Sequence, residues 1–259
     1  MTKIIAIAAH KGGVGKTATT VLMAQHLVYR GYRTAVIDND PQGNTSSVLS
    51  MKSDGTTVPY DTIITADLYF PLPPESVIPI RCELGMDLIP SPKNCDRFRN
   101  LSEVHEISPW TFSDNLKAFS DQYDVVLIDC PPNYSIIVKA ALIHATHVLC
   151  PVKMTGHGLD GVEGILQTLS EVRSLYNADL RLLGCFLNLM EQKGKRVQEN
   201  SAYLREVLQD NLFQNVLHRR PPIDTIQDEG GTLRDLGYAH VAAKEVEALM
   251  DEILEKLYV

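Results

Sequence analysis

The stretch Ile4-Ile5-Ala6-Ile7-Ala8-Ala9-His10-Lys11-Gly12-Gly13-Val14-Gly15-Lys16-Thr17 decides how this chain folds. Its first six residues form an apolar run short enough to be a buried parallel strand. Ala18 to Tyr29 then reads as a helix, with Val21, Leu22, Leu27 and Val28 as its apolar positions. Strand, glycine-rich loop and helix are the context that a phosphate-binding loop requires. Glycines let the backbone curl so that several N–H groups converge on phosphate oxygens. The helix start adds unpaired N–H groups and a positive dipole end. Lys16 supplies a point charge for the outer phosphates, and the Thr17 hydroxyl suits Mg²⁺. Lys11, Gly12, Gly13, Val14, Gly15, Lys16, Thr17 and Ala18 are therefore the expected nucleotide-binding segment. The general pattern is G-x-x-x-x-G-K-[ST]. Here His10 holds its first slot and an extra Lys11 precedes the glycine pair, so the match is a deviant one. His10 is expected to be a strand-end residue with a structural hydrogen bond rather than a catalytic base.

Outward from the loop, apolar strands alternate with helical patterns. Thr34 to Ile37 reads as a strand ending at Asp38, and Val125 to Ile128 as a strand ending at Asp129. Further strands are expected over 86–91, 147–152 and 180–187, and helices over 108–119, 135–143, 158–176, 199–208 and 241–257. Residues 51 to 85 carry Pro59, Pro71, Pro73, Pro74 and Pro79, which break any long element, so an excursion with short helices is expected. The pattern predicts an α/β fold: one doubly wound, mostly parallel sheet with helices on both faces, spanning 1–259 as a single domain. Ligands in such sheets sit beyond the strand C-termini. Lys11–Thr17, Asp38–Asp40 and Asp129 all fall just after strands, so they can converge on one site. Asp129 is the expected Mg²⁺-side carboxylate, acting directly or through a water.

Composition narrows the classes. With 44% hydrophobic and 22% charged residues, the chain is ordinary for a globular protein. No apolar run reaches the roughly 18 residues of a membrane span. The first strand begins at once, which leaves no room for a signal peptide. A net charge of -8 argues against coating nucleic acid through the overall field, though not against a local basic patch. Cys82, Cys95, Cys130, Cys150 and Cys185 form no C-x-x-C pair, and a reduced, cytoplasmic setting fits them best.

Three motifs occur in order: K-G-G-V-G-K-T at 11–17, D-N-D-P-Q-G-N at 38–44, and V-V-L-I-D-C-P-P at 125–132. Together they resemble the ParA/MinD family of deviant Walker ATPases, the second motif the ParA branch in particular. The resemblance covers nearly the whole chain. It implies a P-loop NTPase that binds ATP and Mg²⁺ and acts as a slow switch. The implied activity is ATP hydrolysis that partitions or positions DNA or a large cellular cargo. It implies that Lys16 and Lys11 act on the phosphates, with Lys11 crossing an ATP-dependent homodimer to reach the partner's nucleotide. It further implies that Asp40 positions the attacking water and Asp38 a magnesium-bound water. A solvated loop lysine and a plain Asp-Pro turn are the competing readings of Lys11 and Asp40.

Asn188, after a strand, has the donor and acceptor needed to read an adenine edge, and reads equally as a capping residue. Arg219 and Pro221 lie in a segment that covers the nucleotide's other side in the family. The ParA branch implies sequence-independent DNA binding and a small ParB-like or adaptor partner that stimulates turnover, in a nucleoid-associated protein of a prokaryote. Candidate DNA contacts are Lys193, Lys195, Arg196, Arg219 and Arg220, which read equally as a solvated loop. The last helix pairs an apolar stripe (Val246, Leu249, Met250, Ile253, Leu254, Leu257) with an acidic face. That speaks against a MinD-like membrane helix, which would carry a basic face, and no membrane anchor is evident. An iron–sulfur reductase resembling the nitrogenase iron protein would need cluster thiolates, and only Cys130 lies near the motifs. An amidoligase or synthetase on the same loop scaffold is a third class.

Overall fold

Strand β1 (Lys3–Ile7) divides its side chains between two cores, as a strand covered on both faces must. Ile4 and Ala6 enter one hydrophobic cluster, and Ile5 and Ile7 enter the other. The computed structural model describes residues 1–103, 108–132, 134–154, 158–190 and 195–259. It leaves out the side chains of 99, 102, 103, 158–160 and 195–200. After β1 come α1 (Lys16–Tyr29), β2 (Thr34–Asp38) and α2 (Asn44–Leu49). Two short 3₁₀ turns, Thr65–Tyr69 and Pro74–Ser76, then lead to β3 (Ile80–Arg81) and β4 (Asp87–Ile89). Next are α3 (Asp96–Arg99), α4 (Pro109–Ser120), β5 (Val125–Asp129), α5 (Ile136–His144) and β6 (His147–Lys153). The chain continues with α6 (Gly158–Leu175), β7 (Arg181–Asn188), α7 (Lys195–Leu208), α8 (Pro221–Glu229) and α9 (His240–Leu257).

The sheet runs β3-β4-β2-β5-β1-β6-β7. Every pairing is parallel except the short edge pair β3–β4. One face carries α4, α5 and α6 through residues such as Phe112, Ile137 and Ile165. The other carries α1, α2, α8 and α9 through Leu22, Leu49, Ile226 and Ile253. The architecture is the one the strand–helix alternation predicts. Residues 51–85 hold the two 3₁₀ turns, in line with the short helices expected there, and also the edge strand β3, which was not expected.

α7 and α8 differ from expectation for local reasons, and the short α2 and α3 were not expected. α7 begins at Lys195 rather than 199, because Lys195, Arg196 and Gln198 are good helix formers. α8 is added by Pro221 and Pro222, since proline at the first helical position costs no hydrogen bond.

The α9 stripe packs on the body, with Leu249, Met250 and Ile253 buried. Its acidic face is spent inside the molecule. Glu245 pairs with Arg220 and His218, Asp251 with His26 and Arg30, and Glu252 accepts from the Gln214 and Asn215 backbone. Ile253 is 0% exposed. Ile253→Ala should therefore cost about 2–5 kcal/mol in urea unfolding. A loss below about 1 kcal/mol would mean that α9 is only loosely attached.

Candidate functional site

Parallel register places the candidate site. Asp38 and Asp129 are direct partners across β2 and β5, and Ile7 is the partner of Asp129 across β1 and β5. Neighbouring strands lie about 4.8 Å apart. Three strand ends thus bring the two carboxylates together beneath the loop that follows β1.

The loop depends on two glycines in the left-handed region, Gly13 (φ 68°) and Gly15 (φ 89°). A Cβ on Gly15 would also lie 2.2 Å from Asn188 Nδ2. Asn188 presses that close because its Nδ2 donates to the Val14 carbonyl at 2.8 Å. Its Oδ1 accepts from the Leu189 N–H at 2.9 Å. The structure thus gives Asn188 the work of holding the loop, and leaves one amide N–H for any other partner. Lys16, at the start of α1, is 8% exposed, and its Nζ donates to the Lys11 carbonyl at 3.2 Å. Gly12 is exposed and Val14 is buried beneath the loop. Thr17 and Ala18 begin the first turn of α1, half-buried.

Hydrogen bonds hold both carboxylates in place. Thr17 Oγ1 donates to Asp129 Oδ2 at 3.0 Å, and Thr45 Oγ1 to the same oxygen at 2.5 Å. Asp38 Oδ2 accepts from the Ser46 N–H at 2.7 Å and from Ser46 Oγ at 2.6 Å. Asp38 Oδ1 takes the Asp40 N–H at 3.2 Å. Asp40 is half-buried, and its Oδ1 caps the Gln42 N–H at 2.9 Å, the turn expected of Asp-Pro. Burial pushes the Asp129 carboxyl up to about 6; Thr45, Thr17 and Lys16 pull against it, while Asp40 adds to it. Burial also raises Asp38, and the charge of Asp129 raises it further.

Asp129 Oδ1 is buried and has no hydrogen-bond partner among the described residues. An anionic oxygen left in that state calls for a cation. The oxygens of Thr17, Asp38 and Asp129 form a hard donor set, which suits Mg²⁺ and not a soft metal. The residues present fit the ion.

Sequence reasoning missed Thr45 and Ser46, although Thr45-Ser46-Ser47 stood directly after the second motif. They arrive because Gly43 (φ 63°) turns the chain straight into α2. A Cβ at Gly43 would sit 2.3 Å from the Ser91 carbonyl. Also missed were Asn39 and Tyr69. Tyr69 OH donates to Asn39 Oδ1 at 2.8 Å, and Asn39 Nδ2 to the Ile137 carbonyl at 3.1 Å, which fixes the turn between Asp38 and Asp40.

Other candidates lie farther out. The Arg219 N–H donates to the Met190 carbonyl at 3.3 Å, so the segment leading to Pro221 runs beside the end of β7. Arg219 lies 3.9 Å from Asp224, and Arg220 is paired with Glu245 of α9. Lys193 lies outside the described residues, as do the side chains of Lys195 and Arg196 at the start of α7.

The family model described as "AAA domain" matches residues 2–182. The chromosome-partitioning ATPase Soj of Thermus thermophilus is 29% identical over 259 residues, covering 98% of this chain and 96% of its own. Among solved structures, McdA of Cyanothece in complex with ATP superposes with a TM-score of 0.82 at 22% identity, covering 100% of this chain and 97% of that one. Cobyrinic acid a,c-diamide synthase of Mycobacterium smegmatis, with bound ADP and magnesium, gives 0.78 at 23%, covering 98% and 94%. At those identities the two structures speak for the fold.

The raised Asp129 predicts a pH signature. A folded-state value near 6, above the unfolded value of about 3.9, means that the folded chain holds the proton more tightly. The resulting stability is complete below about pH 4 and lost as pH rises through about 6, in all about 3 kcal/mol. His144 and His147, held down at about 4 by burial, act in the opposite sense over the same window. The readable quantity is therefore the difference between parent and Asp129→Asn in nucleotide-free urea unfolding. Asparagine keeps an acceptor for Thr17 and Thr45 but cannot ionise. It should gain on the parent as pH rises from 4 to 7, and parallel pH curves would refute the assignment.

Proposed function

This chain belongs to the AAA domain family, in its ParA/MinD group of deviant Walker ATPases, and from that premise we propose a nucleotide-switched dimer that positions cargo on DNA. The coarser function is that of a partition or positioning ATPase. The observation that carries the nucleotide part of this reading is the orphaned Asp129 Oδ1 beneath a loop that holds Lys16, and Lys11 ahead of the glycine pair supports the dimer.

Lys16 and the loop amides would take the phosphates of ATP. Thr17, with Asp38 and Asp129, would hold Mg²⁺, whose charge would neutralise the phosphate oxygens as the bond to the leaving group weakens. Asp40, on the same turn as Asp38, would orient the attacking water. Lys11 would cross to the second copy's nucleotide, a charge supplied in trans in the manner of an arginine finger. Asn188, Arg219 and Pro221 would border the base. A small ParB-like or adaptor protein would speed turnover. The setting would be the cytoplasm of a prokaryote, on the nucleoid, with the whole of 1–259 as one ATPase domain.

The alternatives find less support. A surface-riding, MinD-like role would ask for a free amphipathic helix, whereas α9 buries its stripe. A cluster-bearing reductase would ask for an accessible thiolate, whereas Cys130 is buried and burial pushes its thiol up.

Asp40→Ala should bind MgATP as the parent does, stay dimeric in sedimentation far longer, and lose hydrolysis by about 10²-fold or more. Lys11→Ala should bind ATP yet fail to turn over. Parental turnover in either variant would remove that residue's role.

For DNA, the Asp40→Ala dimer should bind any duplex at low salt, with affinity falling steeply as salt rises. Reversing Lys193, Lys195, Arg196 and Arg219 to glutamate should abolish this, whereas Arg220, already paired with Glu245, should contribute least. No binding at low salt would move the proposal to a protein or membrane surface as the track.

A further inference from the structure

His10 stands in the first slot of the loop pattern, and its ring lies against α6. Its Nε2 is hydrogen-bonded to Thr168 Oγ1 at 2.8 Å, and Thr168 is buried. The ring stacks on Tyr134, with centroids 6.1 Å apart and planes at 17°. Tyr134 is itself held, its hydroxyl 3.1 Å from Glu171 of α6 and its ring 5.6 Å from Lys139 Nζ of α5.

The facing side of α6 is cut to receive this ring. A Cβ at Gly164 would lie 2.7 Å from His10 Nδ1, too close to fit, whereas one at Gly161 would meet Lys11 Cβ at an ordinary 3.9 Å. Gly161, Gly164 and Thr168 are spaced by three and four, so they share one face of the helix. Each glycine inside a helix costs about 1 kcal/mol relative to alanine. At 164 the return is space for the imidazole.

Lys11 is therefore fixed from two sides. Its carbonyl takes the Lys16 ammonium, and its chain neighbour His10 is keyed into α6. A lysine side chain has many rotamers, so the place where it can deliver charge is set by where its backbone is held. A misplacement of about 1 Å can cost about 10²-fold in rate.

We propose that His10 is a positioning residue: it keys the leading end of the phosphate loop into the Gly161–Gly164–Thr168 face of α6 and so sets where Lys11 presents its charge. The proposal rests on the ATPase reading of this site. It separates two properties of the loop. Lys16 and the amides of 12–17 do not need the key, so nucleotide affinity survives its loss. Delivery of Lys11 needs it, so turnover does not.

The test uses the full chain, with MgATP affinity measured by a fluorescent ATP analogue and single-turnover hydrolysis at saturating ATP. His10→Ala should keep Kd within about threefold of the parent and lower the hydrolysis rate by about tenfold. Thr168→Val, which changes volume little, should slow hydrolysis in the same direction and remains informative if His10→Ala folds poorly. The double variant should be no slower than His10→Ala, and His10→Gln, whose amide reaches as far as the imidazole, should restore most of the rate. Parental hydrolysis in both His10→Ala and Thr168→Val overturns the proposal. So does a proportional loss of affinity and rate, which would make His10 a general support of the loop. If the parent hydrolyses no ATP, or Asp40→Ala hydrolyses it normally, the ATPase reading itself fails and this proposal falls with it.

Discussion

Two acids buried side by side, Asp38 and Asp129, are the constraint around which the rest of the site is arranged. Parallel pairing of β2 and β5 leaves them no way to separate. Burial and mutual repulsion both favour protonation, so the ionised pair has to be stabilised by its surroundings. Thr17, Thr45 and Ser46 each give a hydroxyl to it, and Ser46 adds a backbone N–H from the first turn of α2. One oxygen, Asp129 Oδ1, is left over. The site is thus short of one positive charge, which is the electrostatic condition for cation binding to be favoured.

The phosphate loop is tied to the sheet in two directions. On one side Asn188, at the end of β7, holds the Val14 carbonyl and packs so tightly on Gly15 that no side chain fits there. On the other, His10 meets α6. A loop of small residues would otherwise wander, because glycine loses the most freedom on ordering. Its tethers come from β7 and α6, elements more than a hundred residues away in the chain.

That distance explains what was legible in the sequence. The strand, loop and helix from Ile4 to Tyr29 are a local pattern, and so are the apolar runs ending at Asp38 and Asp129. Parallel order then places them together with little further information. Asn188 was visible as a polar residue after a strand, but its partner, Val14, depends on strand order and register. Thr45 and Ser46 were hidden differently: α2 has only six residues, too short for periodicity to reveal. Gly43 was the available clue, since a glycine after Asp-Pro-Gln marks a turn whose far side starts a helix. The α8 helix carried its own mark in Pro221 and Pro222, which signal a helix start as readily as a break.

Net charge was the least informative feature, and α9 shows why. Its Glu245, Glu247, Asp251 and Glu252 would suggest a repulsive skin, yet each has a partner: Arg220 and His218 for Glu245, Arg30 and Arg234 for Glu247, Arg30 and His26 for Asp251, and the backbone at 214–215 for Glu252. These acids stitch the last helix to the body across α1 and the segment before α8. Paired charges project little field, and what remains is screened over about 8 Å at physiological salt. The total of -8 therefore says little about the potential at the loop, where the local groups are Lys11, Lys16 and the carboxylates of Asp38, Asp40 and Asp129. A polyanionic ligand meets that local arrangement, not the average of the chain.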